Sequence, residues 1–146
     1  MTRIDFYFNV DSKQQAVVDL VQSAIHKRRQ VTIAAEDASA ASKVSADLWQ
    51  LIPESFLPNV LANHTSASQT SVVIHWQENI LHQDELLINL TLNQTTFFSR
   101  FTYLVELVGN EEPDKMAARA RFKFYRDRGY EIKSIDYTKT KLLAVE

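Results

Sequence analysis

The chain has 146 residues, 45% of them apolar and 23% charged, which is enough to bury one core in a single domain spanning residues 1–146. A net charge of −2 and a pI of about 6.1 argue against wrapping nucleic acid with the whole surface, which needs a broad excess of Lys and Arg. The absence of cysteine excludes disulfides, thiolate catalysis and sulfur-ligated zinc. The start, MTRIDFYFNVDS, carries no basic leader ahead of a long apolar run, and no stretch approaches the roughly 20 apolar residues of a membrane span, so a cytoplasmic location is expected.

In chain order, Ile4 to Val10 reads as a strand rich in Ile, Phe, Tyr and Val. Asp11 and Ser12 offer helix N-caps, with Gln14 three after Asp11 as in a capping box. Val17, Val18, Val21, Ala24 and Ile25 recur at helical spacing, and the run His26 to Arg29 sits where it complements the helix dipole. Gln30 to Ala35 predicts a short buried strand, and Ala38 to Trp49 a helix with Ala41, Val44 and Leu48 inward. Leu51 to Asn63 holds two prolines and no long periodicity, and reads as a loop with short turns; His64 to Ser71 is polar. Val72 to Trp76, Glu85 to Leu90 and Tyr103 to Val108 are strand candidates, and Phe97 to Phe101 a short helical turn. Pro113 opens a further helix, with Glu111, Glu112 and Asp114 at its positive end, running to Arg128 and stopping at Gly129. Tyr130 to Ile135 is the closing strand. Strand, helix and strand alternating at both ends of the chain predict a three-layer α/β/α, Rossmann-like, mostly parallel sheet in one domain.

Familiar α/β chemistry is missing. The only glycines, Gly109 and Gly129, follow neither the first strand nor each other closely, and the first strand-to-helix turn is Asn9-Val10-Asp11-Ser12, so no phosphate loop or dinucleotide fingerprint exists and no cofactor is expected. His26, His64, His75 and His82 match no metal spacing, and no serine stands in a nucleophile elbow. Acids near Asp5, Glu36 and Asp37 could face the C-terminal edge of the sheet as in an α/β enzyme, but acids after strands are commonly helix caps.

The informative stretch is Asp114 to Tyr130, DKMAARARFKFYRDRGY. On a helix, Lys115, Arg119, Phe122, Lys123 and Arg126 fall within roughly a 100° arc. Met116, Ala117, Ala120 and Phe124 lie broadly opposite, which predicts that this side packs on the sheet with Phe124 as core aromatic and leaves Phe122 among cations outside. Spacing alone favours a solvated basic helix with Phe122 tucked under neighbouring stems. The functional reading is a receptor for a short acidic, hydrophobic peptide: cations hold carboxylates through charge-assisted hydrogen bonds, and an apolar floor holds an aromatic side chain. Single-stranded nucleic acid stacking on Phe122 is the runner-up ligand.

The ordered segments IDFYF (Ile4 to Phe8), VTIAAED (Val31 to Asp37), LWQLIPESFLPN (Leu48 to Asn59) and ARARFKFYRDRGYEI (Ala118 to Ile132) resemble the chi subunit of bacterial DNA polymerase III. The resemblance implies a Rossmann-like fold without a nucleotide site, and a non-catalytic adaptor. Such an adaptor joins the clamp-loader assembly through the psi subunit, binds the acidic, Phe-terminated tail of single-stranded-DNA-binding protein, and meets DNA only indirectly. It further implies that Arg119 and Lys123 match tail-binding cations, with Lys115 as another basic contact. Phe122 stands where a familiar member carries tyrosine, which keeps the ring and loses any hydroxyl hydrogen bond. The psi-contact region includes Phe56, which the residues alone favour as a loop side chain tucked onto the core, and Trp49 either supports that surface or caps its helix against the core. Some family members suggest that a repair helicase competes for the psi-type surface. The tail Thr138 to Glu146 departs from the family's end.

Overall fold

The computed structural model describes residues 2–51, 59–61, 72–76 and 84–140. Arg3–Val10 (β1), Val31–Ala34 (β2), Asn59–Leu61 (β3), Val72–His75 (β4), Leu86–Asn89 (β5), Tyr103–Gly109 (β6) and Ile132–Asp136 (β7) form one sheet in the order β3-β4-β2-β5-β6-β1-β7. Every pairing is parallel, so the sheet is wholly rather than mostly parallel. The inner strands VTIA, VVIH and LLIN are buried throughout, as a parallel sheet covered on both faces requires.

Helices Lys13–His26 (α1), Ala38–Leu51 (α2), Glu112–Asp127 (α3) and Tyr137–Thr140 (α4) supply the outer layers among the described residues. On one face, Val17, Val21 and Ala24 of α1 and Ala41 and Leu48 of α2 pack over Val31, Ile33, Ile88, Val105 and Leu107. On the other, Ala118 and Tyr125 of α3 join Phe98 and Phe101 over Ile4, Phe6, Leu87, Leu104 and Val108. Two cores on opposite sides of one sheet make the three-layer α/β/α architecture that the alternating pattern predicts.

Of the two N-cap candidates, Ser12 caps α1, its hydroxyl accepting from the Gln15 N–H at 3.1 Å. Other expectations need correction. The stretch expected to be only loop contains β3 at Asn59–Leu61, a three-residue edge strand too short to show alternation. The last strand starts at Ile132 rather than Tyr130, and the unforeseen α4 follows it, with Tyr137 donating its hydroxyl to Asp19 of α1 at 2.6 Å. No helix among the described residues is long and apolar enough to cross a membrane.

Candidate peptide-binding cleft

α3 is seated differently from the alanine-faced helix that its sequence suggests. Its buried residues are Ala118, Arg121 and Tyr125, while Met116 and Ala120 are exposed and Ala117 is only half-buried. Phe124 is half-buried, packed edge-on against Phe98 and covered by the Arg128 guanidinium; Tyr125, fully enclosed, is the core aromatic. The reason lies in β6. Phe6 pairs with Glu106, so Glu106 points to the α3 face, where it is completely buried. Arg121 Nε donates to its Oε1 at 2.9 Å, and the Tyr125 hydroxyl (2.6 Å) and Asn89 Nδ2 (3.0 Å) donate to its Oε2. Arg121 also donates to the Leu92 carbonyl at 2.8 Å. Burial raises the Glu106 pKa, and Arg121, Asn89 and Tyr125 oppose that rise by favouring the carboxylate.

With that face turned inward, Phe122 lies half-buried against Phe6, ring centroids 5.3 Å apart in an edge-to-face contact worth about 1 kcal/mol beyond area. Phe122 is therefore neither free in solvent nor in the deep core. It stands beside a cleft of about 530 Å³ between α3 and the ends of β1, β6 and β7. Lys115, Arg119, Phe122, Lys123 and Arg126, the whole stripe read from the sequence, line this cleft. Phe6, Val108 and Ala118 extend its apolar lining, and Phe8, 37% exposed, adds a further ring.

The opposite wall comes from strands and was not visible as a motif. Asn9 has a left-handed φ of 61°, a conformation Asn tolerates better than most residues, and the β1–β6 register slips between Tyr7 and Val10. That irregularity puts Asn9 on the cleft wall with Gly109 and Ser134, the last paired with Phe6 across β7. Gly109 is needed for closeness: its N–H donates to Asp114 Oδ2 at 2.6 Å, and a Cβ there would stand 3.1 Å from that oxygen. Asp114 also accepts from Lys13 Nζ at 2.8 Å, tying the start of α3 to the start of α1. Burial works against the Asp114 charge, but Lys13 and the Gly109 N–H outweigh it and hold its pKa below the usual carboxylate range.

The cations are only lightly engaged. Arg119 meets Glu112 at 3.7 Å and Arg126 meets Asp127 at 3.8 Å, all four side chains being mostly exposed. Lys115 and Lys123 have no ion pair among the described residues. An anionic ligand entering the cleft thus has four cations with little internal pairing to displace.

The acids of the enzyme-like alternative are each engaged within the fold. Asp5 lies within β1, not at the C-terminal edge of the sheet, buried toward α1 and accepting a hydrogen bond from the Tyr103 hydroxyl. Glu36, beyond β2, accepts the Leu92 N–H at 2.8 Å. Asp37 caps α2 through the Ala40 N–H at 2.8 Å. His75 is buried with its ring edge-on to Phe97. Among the described residues no group of three or more His, Asp or Glu stands where it could hold a metal ion. Trp49 belongs to α2, and Phe56 lies outside the described residues.

Known proteins share the sequence as well as the fold. The family described as DNA polymerase III chi subunit, HolC, matches residues 1–133. The DNA polymerase III subunit chi of Pseudomonas aeruginosa is 33% identical over 134 residues, covering 89% of this chain and 93% of that protein. The subunit chi of Escherichia coli is 31% identical over 120 residues, covering 82% of each. By structure, the chain is similar to the C-terminal domain of the DEAD-box protein Dbp5, with a TM-score of 0.58 and 10% identity over 98% of this chain and 94% of the other, a likeness of fold alone. Matched along nearly its whole length by the family and by relatives of 33% and 31% identity, the chain belongs to the DNA polymerase III chi subunit family.

Proposed function

We propose that this chain is a non-catalytic adaptor of the DNA polymerase III clamp-loader assembly that takes the acidic C-terminal tail of single-stranded-DNA-binding protein in the α3 cleft. One observation carries the reading: four cations and an aromatic ring, contiguous on one helix, border a single cleft whose floor is apolar. A carboxylate-rich chain end that finishes in an aromatic side chain matches both features at once, the charges on Lys115, Arg119, Lys123 and Arg126 and the ring against Phe6, Phe122 and Val108. The psi subunit would meet the surface around Trp49 and Phe56, the same surface a repair helicase would compete for.

Titration of a labelled acidic peptide ending in Pro-Phe tests the tail site. Affinity is expected to fall with salt, and Arg119→Ala and Lys123→Ala are each expected to cost about 1–3 kcal/mol of binding. Unchanged affinity in both variants rejects the site. Titration of an oligonucleotide alone separates direct strand binding, which would respond to the same substitutions without any peptide.

A further inference from the structure

The roll of α3 about its axis decides whether the cleft exists, and the apolar pattern of the helix does not determine that roll. Only Ala118 and Tyr125 bury apolar surface fully, while the alanine-and-methionine side that hydrophobicity alone would turn inward is largely exposed. What distinguishes the observed roll is the enclosed set Glu106, Arg121, Tyr125 and Asn89, in which Arg121 is 2% exposed and Glu106 0%. Every hydrogen bond in it crosses between α3 and the sheet or joins neighbouring strands: Arg121 and Tyr125 from the helix, Glu106 from β6 and Asn89 from β5. A buried ion pair seldom adds much stability over apolar residues of the same shape, and its best-attested use is to fix one register among several. Phe122 and Arg121 are adjacent, so turning Arg121 onto Glu106 brings Phe122 beside Phe6 and aims Lys115, Arg119 and Lys123 along the cleft.

We infer that Glu106 and Arg121 are positioning residues: their buried pair, completed by Tyr125 and Asn89, locks the roll of α3 and so presents the binding stripe. The inference rests on the tail-binding reading for its functional consequence, but the lock itself is open to a direct test.

The test is the double variant Glu106→Leu with Arg121→Met, which replaces the pair with apolar side chains and leaves all four cleft cations in place. It is expected to melt cooperatively and to lose the Phe6–Phe122 ring contact, read as cross-peaks by NMR. It is also expected to bind the Pro-Phe peptide about tenfold more weakly or worse, the equivalent of losing one charge-assisted contact. A folded double variant that keeps either the ring contact or the wild-type affinity overturns the inference. If the double variant does not fold, Glu106→Gln serves, since it keeps the shape and removes the charge; broadened ring cross-peaks with weakened affinity support the lock, and no change in both refutes it. The ring contact is read without peptide, so failure of the unaltered protein to bind peptide would sink the adaptor reading and leave the roll lock to stand or fall separately.

Discussion

The two faces of the sheet are covered by different physics. α1 and α2 are held by interdigitating Val, Ala and Leu side chains, a non-directional attraction proportional to buried area. α3 is held by fewer apolar groups plus a directional network around a buried carboxylate. The first kind of seat tolerates small rolls and slides; the second permits one orientation. The face with the directional seat is the one that leaves a strip of β1, β6 and β7 open to form the cleft.

Removing one partner from the network should give the largest effect. Arg121→Ala leaves the Glu106 carboxylate buried without its counter-ion, and a loss of about 3–5 kcal/mol in denaturant unfolding is expected. The loss has a pH signature. A carboxyl whose folded pKa is raised penalises folding only where its charge must be buried. The deficit should therefore be greater at neutral pH and shrink as the solution is acidified toward about 4.3, the value for Glu in an unfolded chain. An Arg121→Ala deficit that stays constant with pH would show that lost packing, not the stranded charge, accounts for it.

On the opposite face, Leu48→Ala removes a fully enclosed side chain and should cost about 3 kcal/mol through lost transfer energy and a residual cavity. The comparison predicts that this loss is independent of pH and leaves peptide affinity at the wild-type level, because none of the described residues lining the cleft belongs to α2. If Leu48→Ala weakened peptide binding as much as Lys123→Ala does, the division between the two faces would fail.

The same division explains what was legible in the sequence. Val17, Val18, Val21 and Ala24 declare the buried side of α1 by spacing alone, because every residue needed for the inference is on that helix. The cleft stripe was legible for the same reason: Lys115, Arg119, Phe122, Lys123 and Arg126 are local to α3. The seat of α3 was not, because Arg121 looks like one more solvated cation until Glu106 is known to lie beneath it. The far wall is equally non-local, since Phe8, Asn9, Gly109 and Ser134 come from three strands and converge only through the register of the sheet. β3 was missed because three residues are too few to carry a period. The ordered family resemblance singled out the basic-aromatic helix without resolving its roll.

The smallest expected effect lies where the two faces are tied together. Lys13 of α1 and the Gly109 N–H of β6 both reach Asp114 at the start of α3. Asp114→Asn keeps an amide oxygen able to accept the Gly109 N–H and removes the charge, so the difference reads what that charge contributes, chiefly through Lys13 and secondarily through the Gly109 N–H. The Lys13 side chain is 37% exposed, so solvent screening keeps the contribution below about 1 kcal/mol at neutral pH, and less in high salt. The folded pKa of Asp114 is depressed, so the wild-type advantage is complete above the unfolded carboxyl value of about 3.9 and is lost as pH falls through the folded one. Unfolding curves of the two proteins should therefore separate slightly at pH 7 and converge in acid, as in the Glu106 case but at lower pH, because the folded pKa of Asp114 lies below the unfolded value and that of Glu106 above it. A separation that widens on acidification would mean that Asp114 is not held charged by Lys13 and Gly109, and that the two helix starts are joined only through the sheet between them.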